Sequence, residues 1–257
     1  MIRRAEHQTA AGPCWLLISQ VDHARLSANL AERWGASPVA PLHPRHDVLA
    51  AVLHHDDGWA AWEQQPEVDD EQGQPLNFTE MPLATAVDIW RRSIAACAAF
   101  GPLAGWIVSR HFAVLLDRAS SWEKTEAERE LAGAFRREQQ SQADGWLSQW
   151  QSTQARHSAE LAERGLTQLQ LFDLLSLWLC CDEPSQPAAF DTPGGPAVTF
   201  SPAGTTISVS PWPFTSGPFT VGITAREVEA RHYGSAIELA EAPSRQVELR
   251  WQFRPAD

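Results

Sequence analysis

The apolar positions of the chain fall into two regimes that change near the Pro/Gly-rich stretch 183–196. Before it, apolar residues recur at i, i+3, i+4 and i+7, as in amphipathic helices; after it, they alternate with a period of two, as in strands. A first helix is predicted over 19–34, closed by Gly35, with His23, Leu26, Leu30 and Trp34 on one stripe. A second opens near Asp47 as N-cap, turns Val48, Leu49, Val52 and Leu53 inward, and ends at Gly58. Helices are also predicted over 85–99 and over 103–118, the latter with Leu103, Ile107, His111 and Leu115 on one face. A charged outer helix follows over 123–150, and the most apolar helix, over 166–181, marks the centre of a bundle with Asp173 in its middle. Strands are expected over 197–200, 205–210, 219–223 and 246–253. The last is the clearest, since Val247, Leu249, Trp251 and Phe253 alternate with Glu248, Arg250 and Gln252. The pattern therefore predicts a mainly α protein: a helical domain over 1–190 and a small C-terminal antiparallel β region over 191–257 packed on it.

The polar, turn-rich segment 63–82, with Phe78 as its aromatic anchor, is a long connection of the kind that lines or covers a site. With 257 residues and 44% hydrophobic composition, the chain is long enough to bury a sizeable core. Its formal charge of -12 repels polyanions, which argues against nucleic acid or an anionic membrane as partner and leaves a small-molecule substrate. The residues after Arg3 and Arg4 form no apolar run, and no stretch reaches the length of a membrane span, so a cytoplasmic location is expected. Four cysteines without CxxC spacing read as reduced core thiols. Most of the 12 tryptophans should be core filler, although Trp59 and Trp62, three apart, are placed to line a cleft.

The candidate chemistry lies on the inward faces. A carboxylate in the most apolar helix, Asp173, needs a partner, because an unpaired buried charge is costly. The same bundle turns His23, His55 and His111 inward, and Asp56 beside His55 adds a second carboxylate. Imidazole with carboxylate suits a divalent transition metal such as iron, manganese or zinc. The bland alternatives are a core histidine bonded to a carbonyl for His23, a solvated helix end for His55 and Asp56, and an arginine salt bridge for Asp173.

The order His23, then His55-Asp56-x-Gly58, then His111, then Asp173-Leu174-Leu175-Ser176 resembles the histidine–aspartate (HD-domain) superfamily of helical metal-dependent phosphohydrolases. That resemblance implies an HD-domain-like bundle with one or two ions. His23, His55, Asp56 and Asp173 would be the primary ligands, and His111 a second-metal or substrate ligand. Trp59 stands where many such domains carry a lysine, leaving Arg110 or Lys124 to meet a phosphate. A closer resemblance, to the bacterial family called domain of unknown function 3891, spans nearly the whole chain. It rests on the blocks Gln20-Val21-Asp22-His23, His55-Asp56-Asp57-Gly58-Trp59 with Trp62-Glu63, Phe78 with Met81-Pro82, Ser109-Arg110-His111-Phe112 and Ser210-Pro211-Trp212-Pro213-Phe214.

The function expected is metal-dependent hydrolysis of a small phosphate ester or nucleotide, with Asp57 or Glu63 steering the water and Arg110 offsetting transition-state charge. The rival readings are non-haem iron oxygenation of a polyol-like substrate on the same helical fold, and a non-catalytic helical binding protein.

Overall fold

A computed structural model describes residues 1–10, 12–118 and 124–256. Three short strands open the chain: β1 (Ile2–Arg3), β2 (His7–Thr9) and β3 (Gly12–Ile18). Helices α1 (Gln20–Arg33), α2 (Arg45–His54), α3 (Ala60–Glu63), α4 (Leu83–Ala98), α5 (Pro102–Arg118), α6 (Glu126–Thr153) and α7 (Ala159–Cys180) follow, with single 3-10 turns at Asp57–Trp59 and Phe78–Glu80. Strands β4 (Ala188–Phe190), β5 (Val198–Ala203), β6 (Thr206–Ser210), β7 (Phe219–Glu229) and β8 (Ser244–Pro255) complete the chain, with α8 (Ala236–Glu241) between the last two.

The expectation of a mainly α bundle with a small antiparallel β region is overturned. The protein is about 49% helix and 21% strand, and all eight strands join one curled mixed sheet, a half-barrel. The order is β1-β3-β7-β8-β6-β5-β4 with β2 on β3, and every pairing is antiparallel except the parallel β6 and β8. The missed strand β3 has a physical explanation. From Cys14 to Ile18 every residue is buried, so the period-two signal of a half-exposed strand is absent. Its neighbour β7 carries the alternation through Val221, Ile223 and Ala225, all buried, and extends six residues beyond the predicted end at 223.

Helix α2 starts at Arg45 after Pro44 with no side-chain cap, so Asp47, the expected N-cap, lies inside its first turn, whereas α1, α6 and α7 start where short polar side chains take up free backbone N–H groups. Ser19 Oγ accepts from Asp22 N at the head of α1, and Ser158 does the same for Leu161 N at the head of α7. Thr125 and Glu128 form a capping box before α6, whose predicted start at Glu123 lies outside the described residues. Sheet and helices share one hydrophobic core. At their junction Trp34 packs edge-on against both Phe172 of α7 and Phe214, while Gly35 and Ala36 donate N–H bonds to the carbonyl of Pro213. This packing seats α1, and with it His23, against both layers. No helix among the described residues is long and apolar enough to cross a membrane.

Candidate metal centre

Four separate helical segments deliver polar side chains to one buried point. His23 lies one turn into α1, His55 caps the C-terminus of α2, His111 sits in α5 and Asp173 in α7; all are buried. Asp56 follows His55 at the turn into the 3-10 segment. His23 Nε2 lies 2.9 Å from Asp173 Oδ1 and 3.9 Å from Asp56 Oδ2. His55 Nε2 is 3.4 Å from Asp56 Oδ2 and 3.5 Å from Asp173 Oδ1, and His111 Nε2 is 3.7 Å from Asp173 Oδ2. One ligand atom from each of His23, His55 and Asp173 falls within 4.8 Å of the others, so this cluster can hold a metal ion.

The outer nitrogens fix the rings. His55 Nδ1 donates to the carbonyl of Val52 at 2.8 Å, which puts its proton there and leaves Nε2, buried and without a hydrogen-bond partner, aimed at two carboxylates. His23 Nδ1 meets Ser176 Oγ at 2.8 Å, and Ser176 in turn lies 2.6 Å from Ser27 Oγ and donates to the Asp173 carbonyl. These are the outer contacts that orient a metal-ligating imidazole. Ser27 and Ser176 had gone unassigned in the sequence, yet their spacing of four from His23 and three from Asp173 places each on its ligand's own helix face.

Two carboxylates and no lysine or arginine in the cluster leave a deficit of positive charge. Burial opposes a charged His55, but the Asp56 and Asp173 carboxylates outweigh it and raise its pKa to about 9. Burial also disfavours ionised Asp173, yet the His23 hydrogen bond and the adjacent His55 and His111 rings hold it well below the usual carboxylate range. Asp56 is pushed up by burial, with Asp173 and Glu63 acting in the same sense against His55 and His23. His111 is pushed down to about 4 by burial, which outweighs the opposing Asp173 carboxylate, so it is neutral at ordinary pH.

A pH dependence follows for metal-free protein. Because folding raises the His55 pKa, protonation stabilises the fold fully below about pH 6.5, and that contribution disappears as pH rises through about 9. The melting temperature of chelator-treated protein should fall between about pH 7 and about pH 10. The fall should be smaller in His55→Gln; equal slopes in the two proteins would contradict the assignment.

The cluster lines a cavity of about 380 Å3 whose remaining walls are mainly aromatic and aliphatic, including Trp59, Phe78, Trp90, Phe112, Leu115 and Leu177. Of the expected substrate residues, Trp59 reaches this wall. Trp62 stands behind it, edge-on to Trp59, with its indole N–H bonded to Glu67. The remaining expected residues lie elsewhere. Asp57 accepts from His54 at 2.7 Å, Glu63 accepts from Ser19 Oγ and Gln20 N at the head of α1, Arg110 is half-buried outside the lining, and Lys124 is exposed before α6. Among the described residues, the cation that lines the cavity is Arg118, seven residues after His111 and therefore on the same face of α5. Gln20, buried beside the cluster with an unpartnered amide oxygen, is a further polar group that sequence reasoning missed, as is Thr79 in the same lining.

A family model described as "Protein of unknown function (DUF3891)" matches residues 1–230. The chain belongs to that family. The DUF3891 match takes in all five clustered residues, the cavity wall and the strands through β7. No curated protein and no solved structure matches the chain.

Proposed function

We propose that this DUF3891 protein is a metal-dependent hydrolase of a small phosphate ester or nucleotide. The observation that carries the reading is the buried, partnerless Nε2 of His55 facing two carboxylate oxygens while Nδ1 is committed to the Val52 carbonyl. These groups need a positive charge between them, which a proton on His55 supplies in metal-free protein and a metal ion would supply in its place. His23, His55, Asp56 and Asp173 would hold a divalent iron, manganese or zinc ion, whose charge the two carboxylates balance. Such an ion supplies Lewis acidity, activating a water and polarising a phosphoryl oxygen. His111, neutral and beside Asp173 Oδ2, is positioned to ligate a second ion or to hydrogen-bond the substrate. Arg118, an exposed residue of the cavity lining, would meet the phosphoryl charge with its guanidinium. The ligand order along the chain resembles that of the HD-domain phosphohydrolases, which favours hydrolysis.

Protein purified without an affinity metal column should contain about one transition-metal ion per chain or more by elemental analysis. It should hydrolyse 4-nitrophenyl phosphate, lose that activity to a chelator, and regain it when metal is restored. Metal-loaded protein inert towards phosphate esters would overturn the hydrolase reading. The same donor set suits iron, and the apolar walls would keep water from a reactive centre, which favours one second reading, iron-dependent oxygenation of a small molecule. Oxygen uptake by iron-loaded protein that leaves phosphate esters intact would select it.

A further inference from the structure

The cavity walls narrow the substrate class. Beyond the metal cluster they offer one amide (Gln20), one hydroxyl (Thr79) and one guanidinium (Arg118) among the described residues, against a majority of aromatic and aliphatic surface. A nucleotide would bring a base edge and ribose hydroxyls that must find partners or lose their water bonds. Its further phosphates, where present, would call for more cations than one arginine. The volume of about 380 Å3 also lies at the small end of ligand pockets, which run from about 300 to 1,000 Å3. The apolar wall continues to the surface at Leu174, a half-exposed leucine next to the ligand Asp173. Arg118 lies two turns beyond His111, exposed at the end of α5, and long side chains on a helix lean back towards its N-terminus, the direction in which the cluster lies.

From these walls we infer that the substrate is a phosphomonoester of an apolar alcohol, aryl or branched alkyl, and not a nucleotide; this rests on the hydrolase reading of the same site. The phosphoryl group lies between the cluster and Arg118, and the organic group packs on Trp59, Phe78, Trp90 and Phe112. Water adds to phosphorus, the bond from phosphorus to the alcohol oxygen breaks, and the alcohol leaves with a proton while inorganic phosphate remains.

The test is binding of non-hydrolysable phosphonates to metal-loaded protein, followed by calorimetry. Phenylphosphonate should bind about tenfold or more tightly than methylphosphonate, the difference being one buried ring, and more tightly than adenosine monophosphate. Arg118→Gln should weaken both phosphonates by a similar factor, about tenfold, without changing metal content. Phe78→Ala should reduce the preference for the phenyl compound alone. Equal binding of the two phosphonates, or tighter binding of the nucleotide, by protein that carries its metal would overturn this inference and leave the hydrolase reading standing. Protein that takes up no metal would overturn that parent reading instead.

Discussion

Asp173→Asn protein should emerge from purification folded and free of metal, and its melting temperature should not respond to a chelator. Asparagine keeps the size of the side chain and one oxygen, so the packing of α7 against α1 is left in place. What disappears is the negative charge that His23 and His55 approach at 2.9 and 3.5 Å. With that ligand gone, the cluster keeps a single carboxylate, Asp56, whose own ionisation is disfavoured by burial. In the unaltered protein, an ion present at about a hundred to a thousand times its dissociation constant contributes about 3–4 kcal/mol. Chelation should therefore lower the melting temperature by about 10 °C. Elemental analysis and thermal melts with and without chelator read both quantities. Stoichiometric metal in Asp173→Asn would remove this residue from the ligand set.

The residues that form the cluster were legible because each leaves a local mark. His23 and His111 interrupt apolar helix stripes, and Asp173 stands alone in the most apolar segment of the chain. Helical spacing suffices to turn such residues inward. The residues around them were harder to place, because adjacency in sequence is a poor guide to a shared face. Arg110 adjoins His111 but projects about 100° away, whereas Arg118, at i+7, lines the same cavity. Glu63 illustrates a long-range contact with no local signature. Its carboxylate binds Ser19 Oγ and Gln20 N, 44 and 43 residues earlier, and so anchors the head of the helix that carries His23. The sheet was underestimated for a related reason. A strand buried on both faces, such as β3, shows no alternation, and neither the parallel pairing of β6 with β8 nor the docking of β3 on β7 is encoded locally.

Gly58 was read as the residue that ends α2, the position where a left-handed conformation favours glycine. Helix α2 ends instead at His54, and Gly58 lies inside the 3-10 turn without a positive φ. Its requirement is space. A Cβ at this position would lie 2.1 Å from the carbonyl oxygen of Ile89 and 2.7 Å from the backbone nitrogen of Ser93. Those two atoms, four residues apart in α4, are the acceptor and donor of one helical hydrogen bond, so the added carbon would press into the backbone of a buried helix, where no rotamer change relieves it. The Gly58 N–H also donates to Ser93 Oγ at 3.0 Å, which ties the turn to α4 at the same spot. Gly58→Ala should therefore cost about 3 kcal/mol or more in urea denaturation, at the upper end for an overpacked core site. Because His55 and Asp56 directly precede the displaced turn, metal affinity should fall with it. Gly145→Ala supplies the contrast: Gly145 is exposed in the middle of α6, a Cβ there meets nothing within 4 Å, and alanine should stabilise the protein by up to about 1 kcal/mol. If Gly58→Ala unfolded within about 1 kcal/mol of the unaltered protein, the close seat of the 3-10 turn on α4 would be refuted. So would the account of how that seat holds two candidate ligands in place.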